Sequence, residues 1–209
     1  MLEHLPQWLG AMLHNVRAGH ARLAALDPDL TSDAVIALSS PAFANGARLP
    51  ERFTADGTGV SPPLLWGEVP AATRSLVLIV EDPDAPAPRP LVHAIVAGIS
   101  PEIRQLAEGT IVPDGAGDPI SGDVGRNSYF VQGWLPPDPP RGHGEHDYAF
   151  QLFALSAELD LAANPGRGAL VAAMAGKVIG LGLLIGSYSR GEAAPAATDK
   201  AGAALRQAY

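Results

Sequence analysis

Apolar residues follow two periodicities along this chain. Leu5, Trp8, Leu9, Met12, Leu13, Val16 and Leu23 recur at three- and four-residue steps, the spacing of a single helix face. They predict an amphipathic helix from residue 5 to about residue 26, ended by Asp27-Pro28. From Ala34 the helical spacing gives way to alternation, and Val35 to Ser39 reads as a short first strand. Ser75–Glu81 and Val92–Ile99 are apolar on both parities, as strands covered on both faces are. Tyr148–Leu155 alternates large and small apolar residues and makes another strand. Asn164-Pro165-Gly166 announces a helix over residues 167–179 that Gly180 ends, with a last strand over Leu181–Ser189.

Glycine and proline supply 23 and 20 of the 209 residues, mostly between Pro41 and Gly144 at turn-like spacing, which predicts a strand-rich core with long connections. The chain divides into a helical extension (1–30), a domain (35–190) and a small, polar, loose tail (191–209). An amphipathic helix must cover its apolar face, either on its own domain or on a second copy of the chain.

The 14 Lys+Arg face 22 Asp+Glu, a formal net charge of −8 with no basic cluster. That argues against nucleic acid as a partner and against charge-driven attachment to anionic lipid. The absence of cysteine removes disulfides, thiolate metal sites and a Cys nucleophile. The most apolar late stretch, Val178–Ile185, is far short of the roughly 20 residues of a membrane span. Polar residues break up the N-terminal apolar positions, unlike a signal peptide, so a cytoplasmic protein is expected. Phosphate-cradling, dinucleotide and nucleophile-elbow motifs are missing, and no cofactor is expected.

Chemistry concentrates in three places. Asp82-Pro83-Asp84-Ala85-Pro86 follows a buried strand, and its prolines stiffen an acidic turn. The turn reads either as Asx-type capping of backbone N–H groups or as part of a site, and X–Pro geometry also admits a cis bond at Pro86. His93 sits at the head of the next strand, as a hydrogen-bonded core residue or a functional one. The third is the loop from Pro136 through Asp138-Pro139-Pro140 to His146 and Tyr148, two residues that share a strand face. His143 and His146, with Glu145 or Asp82, lack the helical spacing of a strong metal motif, and no metal is expected. Ser61, before Pro62-Pro63, reads as a turn residue.

Together, Ser61-Pro62-Pro63-Leu64-Leu65-Trp66, the Asp82–Pro86 run, His93, Gly125-Arg126-Asn127-Ser128-Tyr129, and Pro139-Pro140 followed by His146 and Tyr148 resemble the phosphatidylethanolamine-binding protein family, also called Raf kinase inhibitor-like proteins, in its bacterial branch. The resemblance spans about residues 35–190 and implies a mainly β, β-sandwich-like domain with a few peripheral helices. It further implies a small anion-binding pocket lined by Asp82, Pro86, His93, Pro139, Pro140, His146 and Tyr148, with Asp84 close by and Asp138 in the loop. Three residues depart from the family pattern: Asp138 stands where a small or neutral residue is usual, Pro136 replaces a glycine, and Asp147 replaces a basic residue. A carboxylate at Asp138 would repel an anion unless it points away or is protonated.

The resemblance and the residue chemistry together imply a non-enzymatic binding or regulatory protein that captures phosphate, phosphoethanolamine or a carboxylate, with a kinase or protease as a conceivable protein partner. An acid–base hydrolase using His93, His146 and Asp82 is the rival reading, since two imidazoles and a carboxylate suffice for proton transfer. The resemblance also implies a homodimer, here through the N-terminal helix.

Overall fold

A computed structural model describes Leu13 and residues 15–116 and 122–190. Most of the expected N-terminal helix and the whole 191–209 tail therefore lie outside the described residues, as does any dimer contact the helix would make. No helix among the described residues is long and apolar enough to cross a membrane.

The chain is mainly β. One sheet has six strands in the order β2 (Ala47–Arg48), β9 (Val178–Tyr188), β8 (His146–Leu155), β4 (Ser75–Asp82), β5 (Leu91–Ile99) and β7 (Asp123–Val124). It is antiparallel except where β2 runs parallel to β9. A second, three-stranded sheet orders β1 (Leu38–Ser39), β3 (Leu64–Trp66) and β6 (Gln105–Leu106).

The two-parity apolar pattern of β4 has a direct cause: all eight of its residues are buried. Leu76, Leu78 and Val80 join Phe150, Leu152 and Ala94 against Leu38, Leu64, Trp66 and Leu106 of the small sheet. Val77 and Ile79 join Ile95, Phe153 and Leu155 on the opposite face, under Leu170 and Met174 of helix α1 (Arg167–Met174) and under Ala24, Ala25 and Leu30. Each such side chain contributes about 1.5–3 kcal/mol by leaving water. Gly186 on β9 marks a close approach, because a Cβ there would sit 2.4 Å from Leu49 Cδ2.

Two sequence expectations need correction. The helix over 5–26 does not continue through 16–26, where the chain has no regular element over 16–19 and then makes short 3₁₀ turns at His20–Arg22 and Ala24–Leu26, with another at Pro28–Leu30. The reason is competition for backbone N–H groups. Ala18 and Gly19 donate to the carbonyls of Ala85 and Pro83, Ala24 donates to Glu81 Oε2 at 2.8 Å, and Ala25 donates to Gln151 Oε1 at 2.7 Å. Gly19, at φ 97°, also lies outside helical space. The second correction concerns α1, which stops at Met174. Gly176 turns the chain at φ 70°, and Val178 and Ile179 belong to β9. The first strand is also shorter than expected, with Val35 making an isolated bridge to Leu181.

A cavity between two loops and three strand ends

A cavity of about 210 Å³ opens at one end of the sandwich, lined by Asp82, Ala85, Pro86, Leu91, His93 and His146 from the strands and acidic turn, and by Ala55, Tyr129, Leu135, Pro136, Asp138, Pro139 and Pro140 from the loops. Strand parity accounts for the first group. Asp82 continues the Leu78–Val80 face of β4, and His146 shares its face with Tyr148 and Phe150, so both turn toward the sandwich interior where it meets the cavity.

His93 arrives by a different device. Val80 pairs with Ala94 and Glu81 with Val92, so His93 is the extra residue of a β-bulge. A bulge places two consecutive side chains on one face, and here it brings His93 to the cavity side with Ala94. Leu135 fixes it twice: the Leu135 N–H donates to the His93 carbonyl at 2.8 Å, and His93 Nδ1–H donates to the Leu135 carbonyl at 2.6 Å. With its proton on Nδ1, neutral His93 carries a bare lone pair on Nε2. That atom is buried and meets no hydrogen-bond partner. Burial holds the His93 pKa below the ordinary value, and the Asp82 charge, the Leu135 carbonyl and Asp138 only partly offset it.

His146 is committed on both sides. Its Nδ1 lies 2.7 Å from Asp82 Oδ2, and its Nε2 lies 2.6 Å from His143 Nδ1. His143 Nε2 faces the carbonyls of Leu13 and Val16 at 2.8 and 3.3 Å, which only accept, so that nitrogen carries a proton. Burial, then the neighbouring His146 and Arg17, push the His143 pKa down to about 4. It is therefore neutral near pH 7, its Nδ1 accepts from His146 Nε2–H, and one further proton bridges His146 Nδ1 and Asp82. Burial alone would raise the Asp82 carboxyl, but His146, by charge and hydrogen bond, and the Asp84 amide hold it below the usual carboxylate value. The Asp82–His146–His143 row is thus self-contained and neutral overall.

The other residues expected at the site fall partly inside it and partly behind it. Pro86, Asp138, Pro139 and Pro140 line the cavity. Among the described residues no peptide bond is cis, that of Pro86 included. Tyr148 stands behind His93, ring edge to ring face with centroids 5.1 Å apart, and its buried hydroxyl meets no hydrogen-bond partner. Asp84 turns away from the cavity. Its Oδ1 pairs with Arg17 Nη1 at 2.6 Å, and its Oδ2 accepts the Asp147 N–H at 2.8 Å. Asp147, one residue out of phase with His146, faces the same side and meets His20 Nε2 at 3.0 Å. The acidic turn is also an Asx turn, since Asp82 Oδ1 accepts the Asp84 N–H at 2.8 Å, so capping and cavity lining are combined in one residue.

Residues without a sequence signature hold this geometry. Arg17 donates to the Glu145 and His143 carbonyls at 3.0 and 3.2 Å, tying the N-terminal segment to the loop before β8. Gly142 and Gly144, at φ 83° and 95°, let that loop fold around His143. Arg190 carries Asp56 and Asp138. The arginine contacts join positions dozens of residues apart, so no local pattern announces them.

The His143 environment makes stability depend on pH with a defined sign. Its pKa is near 6.5 when unfolded and about 4 when folded, so between those values the unfolded chain binds the extra proton and stability falls as pH drops. His93 acts in the same direction, while Asp84, whose carboxyl burial and Asp82 raise, opposes them. Urea unfolding should show a loss of about 2–3 kcal/mol from His143 between pH 7 and pH 4.5. The variant His143→Gln, which keeps an acceptor for His146 but does not titrate, should lack most of that loss. Equal losses in the two proteins would contradict the assignment.

Comparison with known proteins agrees with this architecture. The chain belongs to the phosphatidylethanolamine-binding protein family, whose sequence profile matches residues 39–189. A UPF0098 protein of Methanothermobacter thermautotrophicus is 40% identical over 154 residues, covering 74% of this chain and 99% of that one. A mycobacterial UPF0098 protein, Rv1910c of Mycobacterium tuberculosis, is 38% identical over 162 residues, covering 77% and 74%. Among solved structures, CT736 of Chlamydia trachomatis, described as a homologue of phosphatidylethanolamine-binding protein, superimposes with a TM-score of 0.67 at 36% identity, covering 76% of this chain and 99% of that one. YbcL of Escherichia coli, described as a member of the mammalian family, gives a TM-score of 0.69 at 25% identity, covering 74% and 98%.

Proposed function

We propose that this protein is a non-enzymatic binding module whose cavity takes a small anion, a carboxylate or a phosphate such as a phospholipid headgroup carries, together with one proton. The observation that carries the reading is His93 Nε2: buried, on the cavity wall, oriented by Leu135 and without a partner. A bare lone pair does not attract an anion. Once protonated it becomes a charged donor, and a buried charged hydrogen bond to an oxyanion is among the strong ones. Anion and proton therefore enter together, either as the conjugate acid or as an anion that raises the His93 pKa on arrival. Walls of Pro86, Leu91, Leu135, Pro136, Pro139 and Pro140 keep that pair away from water.

The acid–base alternative asks His146 to exchange protons with an occupant. Both of its nitrogens are engaged, which favours binding over turnover.

Thermal-shift titrations with acetate, phosphate and phosphoethanolamine test the reading. Affinity should rise by close to tenfold for each pH unit removed between about pH 8 and pH 6.5, where the free imidazole is unprotonated. Affinities that stay flat over that range would refute proton-coupled uptake.

A further inference from the structure

One carboxylate on the cavity wall is not used by the binding reading. Asp138 lines the cavity, with its Oδ1 2.5 Å from Arg190 Nη1. The Arg190 side chain is only 3% exposed, and it is already well supplied with acceptors. Its Nε meets both oxygens of Asp56 at 3.0 and 2.8 Å, its Nη2 meets Asp56 Oδ1 at 2.8 Å, and Nη1 also reaches the Pro139 carbonyl at 3.1 Å. Asp56 holds the Nε–Nη2 edge of the guanidinium as a two-pronged partner, and Asp138 takes Nη1. Two carboxylates thus share one buried cation. Arg141, at the exposed end of the same loop, adds only a weaker cationic influence on Asp56.

The other wall carboxylate, Asp82, shares a proton with His146, and Asp56 lies outside the cavity, 30% exposed to water. Asp138 is therefore the carboxylate that the cavity meets from this group, with its Arg190 partner shared with Asp56 behind it. Its influence extends around the cavity: it favours a proton on His93, and it helps to raise the hydroxyls of Tyr129 and Tyr148 above their ordinary values. Those three groups sit on β5, on the turn before Val131 and on β8, and His93 faces Asp82, His146 and Tyr148 besides.

We propose that Asp138 is the charge filter of this cavity, a specificity-determining residue that admits a singly charged anion paired with one proton and turns away an occupant that stays doubly charged. This rests on the anion reading above. An acetate ion with one proton on His93 adds no net charge to the cavity, whereas sulfate with the same proton adds one negative charge beside Asp138, and like charges in a low-dielectric site repel strongly. Removing the Asp138 charge should therefore help sulfate far more than acetate. Arg190 keeps its paired contact with Asp56 and its bond to the Pro139 carbonyl, so the loop retains an anchor.

The test compares acetate and sulfate affinities by calorimetry near pH 5.5, about one unit below the ordinary histidine value, for wild type, Asp138→Asn and Asp138→Ser. Wild type should bind acetate at least about tenfold more tightly than sulfate. In both variants the sulfate-to-acetate ratio should rise at least about tenfold, a change that general loosening of the loop would not produce because it would weaken both anions alike. Wild type that binds sulfate as well as acetate would overturn the filter without either variant, as would a ratio unchanged by the substitutions. Binding of neither anion by any of the three proteins would overturn the anion reading and the filter together.

Discussion

Replacing Glu81 with Ala is expected to lower the unfolding free energy by about 3–5 kcal/mol, the range for removing one partner of a buried ionic network. Glu81 is fully buried on the α1 face of β4, and its carboxylate gathers three donors from three parts of the chain. Arg167 Nε reaches Oε1 at 2.5 Å, while the Ala24 N–H and Gln151 Nε2 reach Oε2 at 2.8 and 2.9 Å. Removing the carboxylate leaves a backbone N–H and a side-chain amide buried without acceptors, and it detaches both covers of that face. The partner substitution Arg167→Ala should also be costly, because it leaves the fully buried Glu81 carboxylate with two neutral donors and no counter-charge, whereas Glu81→Ala leaves an arginine that is 22% exposed and can turn to water. Urea unfolding of the two variants checks both. Equal and small losses would mean that the 3₁₀ turns and α1 are held by apolar contact alone.

The second large effect concerns the cavity. His93→Gln should weaken acetate and phosphate at about pH 5.5 by roughly 10- to 150-fold, the worth of a charged hydrogen bond of about 1.5–3 kcal/mol. It should also flatten the pH dependence of what binding remains. Glutamine is close to histidine in size and keeps an amide to meet the Leu135 carbonyl, so the fold should be preserved and the loss should appear in ligand affinity, not in unfolding. A variant that still binds more tightly at low pH would place the titrating group elsewhere, with the Asp82–His146–His143 row as the first place to look.

The range of each interaction decides how much of this is legible in the sequence. Strands β4, β5, β8 and β9 are legible because burial on two faces writes apolar residues on both parities over eight or more positions. The proline-stiffened turn and loop are legible because proline acts on its own backbone. The stretch 16–30 is not, since its apolar residues are equally served by Leu23, Ala24, Ala25 and Leu30 sitting on the sheet as 3₁₀ turns, once Glu81 and Gln151 claim the N–H groups. His93 shows the same limit within the site. Alternation gives a side for each residue of β5, but the bulge that brings His93 to the cavity is set by pairing with β4. The roles of Arg17, His143, Leu135 and Arg190 depend on contacts with no local pattern, and Asp138 shows only as a charge out of place in its loop.

The most direct test of the central claim is an NMR spectrum of the imidazole nitrogens in histidine-labelled protein near pH 7, recorded with and without saturating acetate. Without ligand, His93 should show one bare and one protonated nitrogen, with the bare one at Nε2. With acetate, both nitrogens should be protonated while the His143 and His146 signals stay in place. A His93 Nε2 that remains bare in the complex would contradict the account.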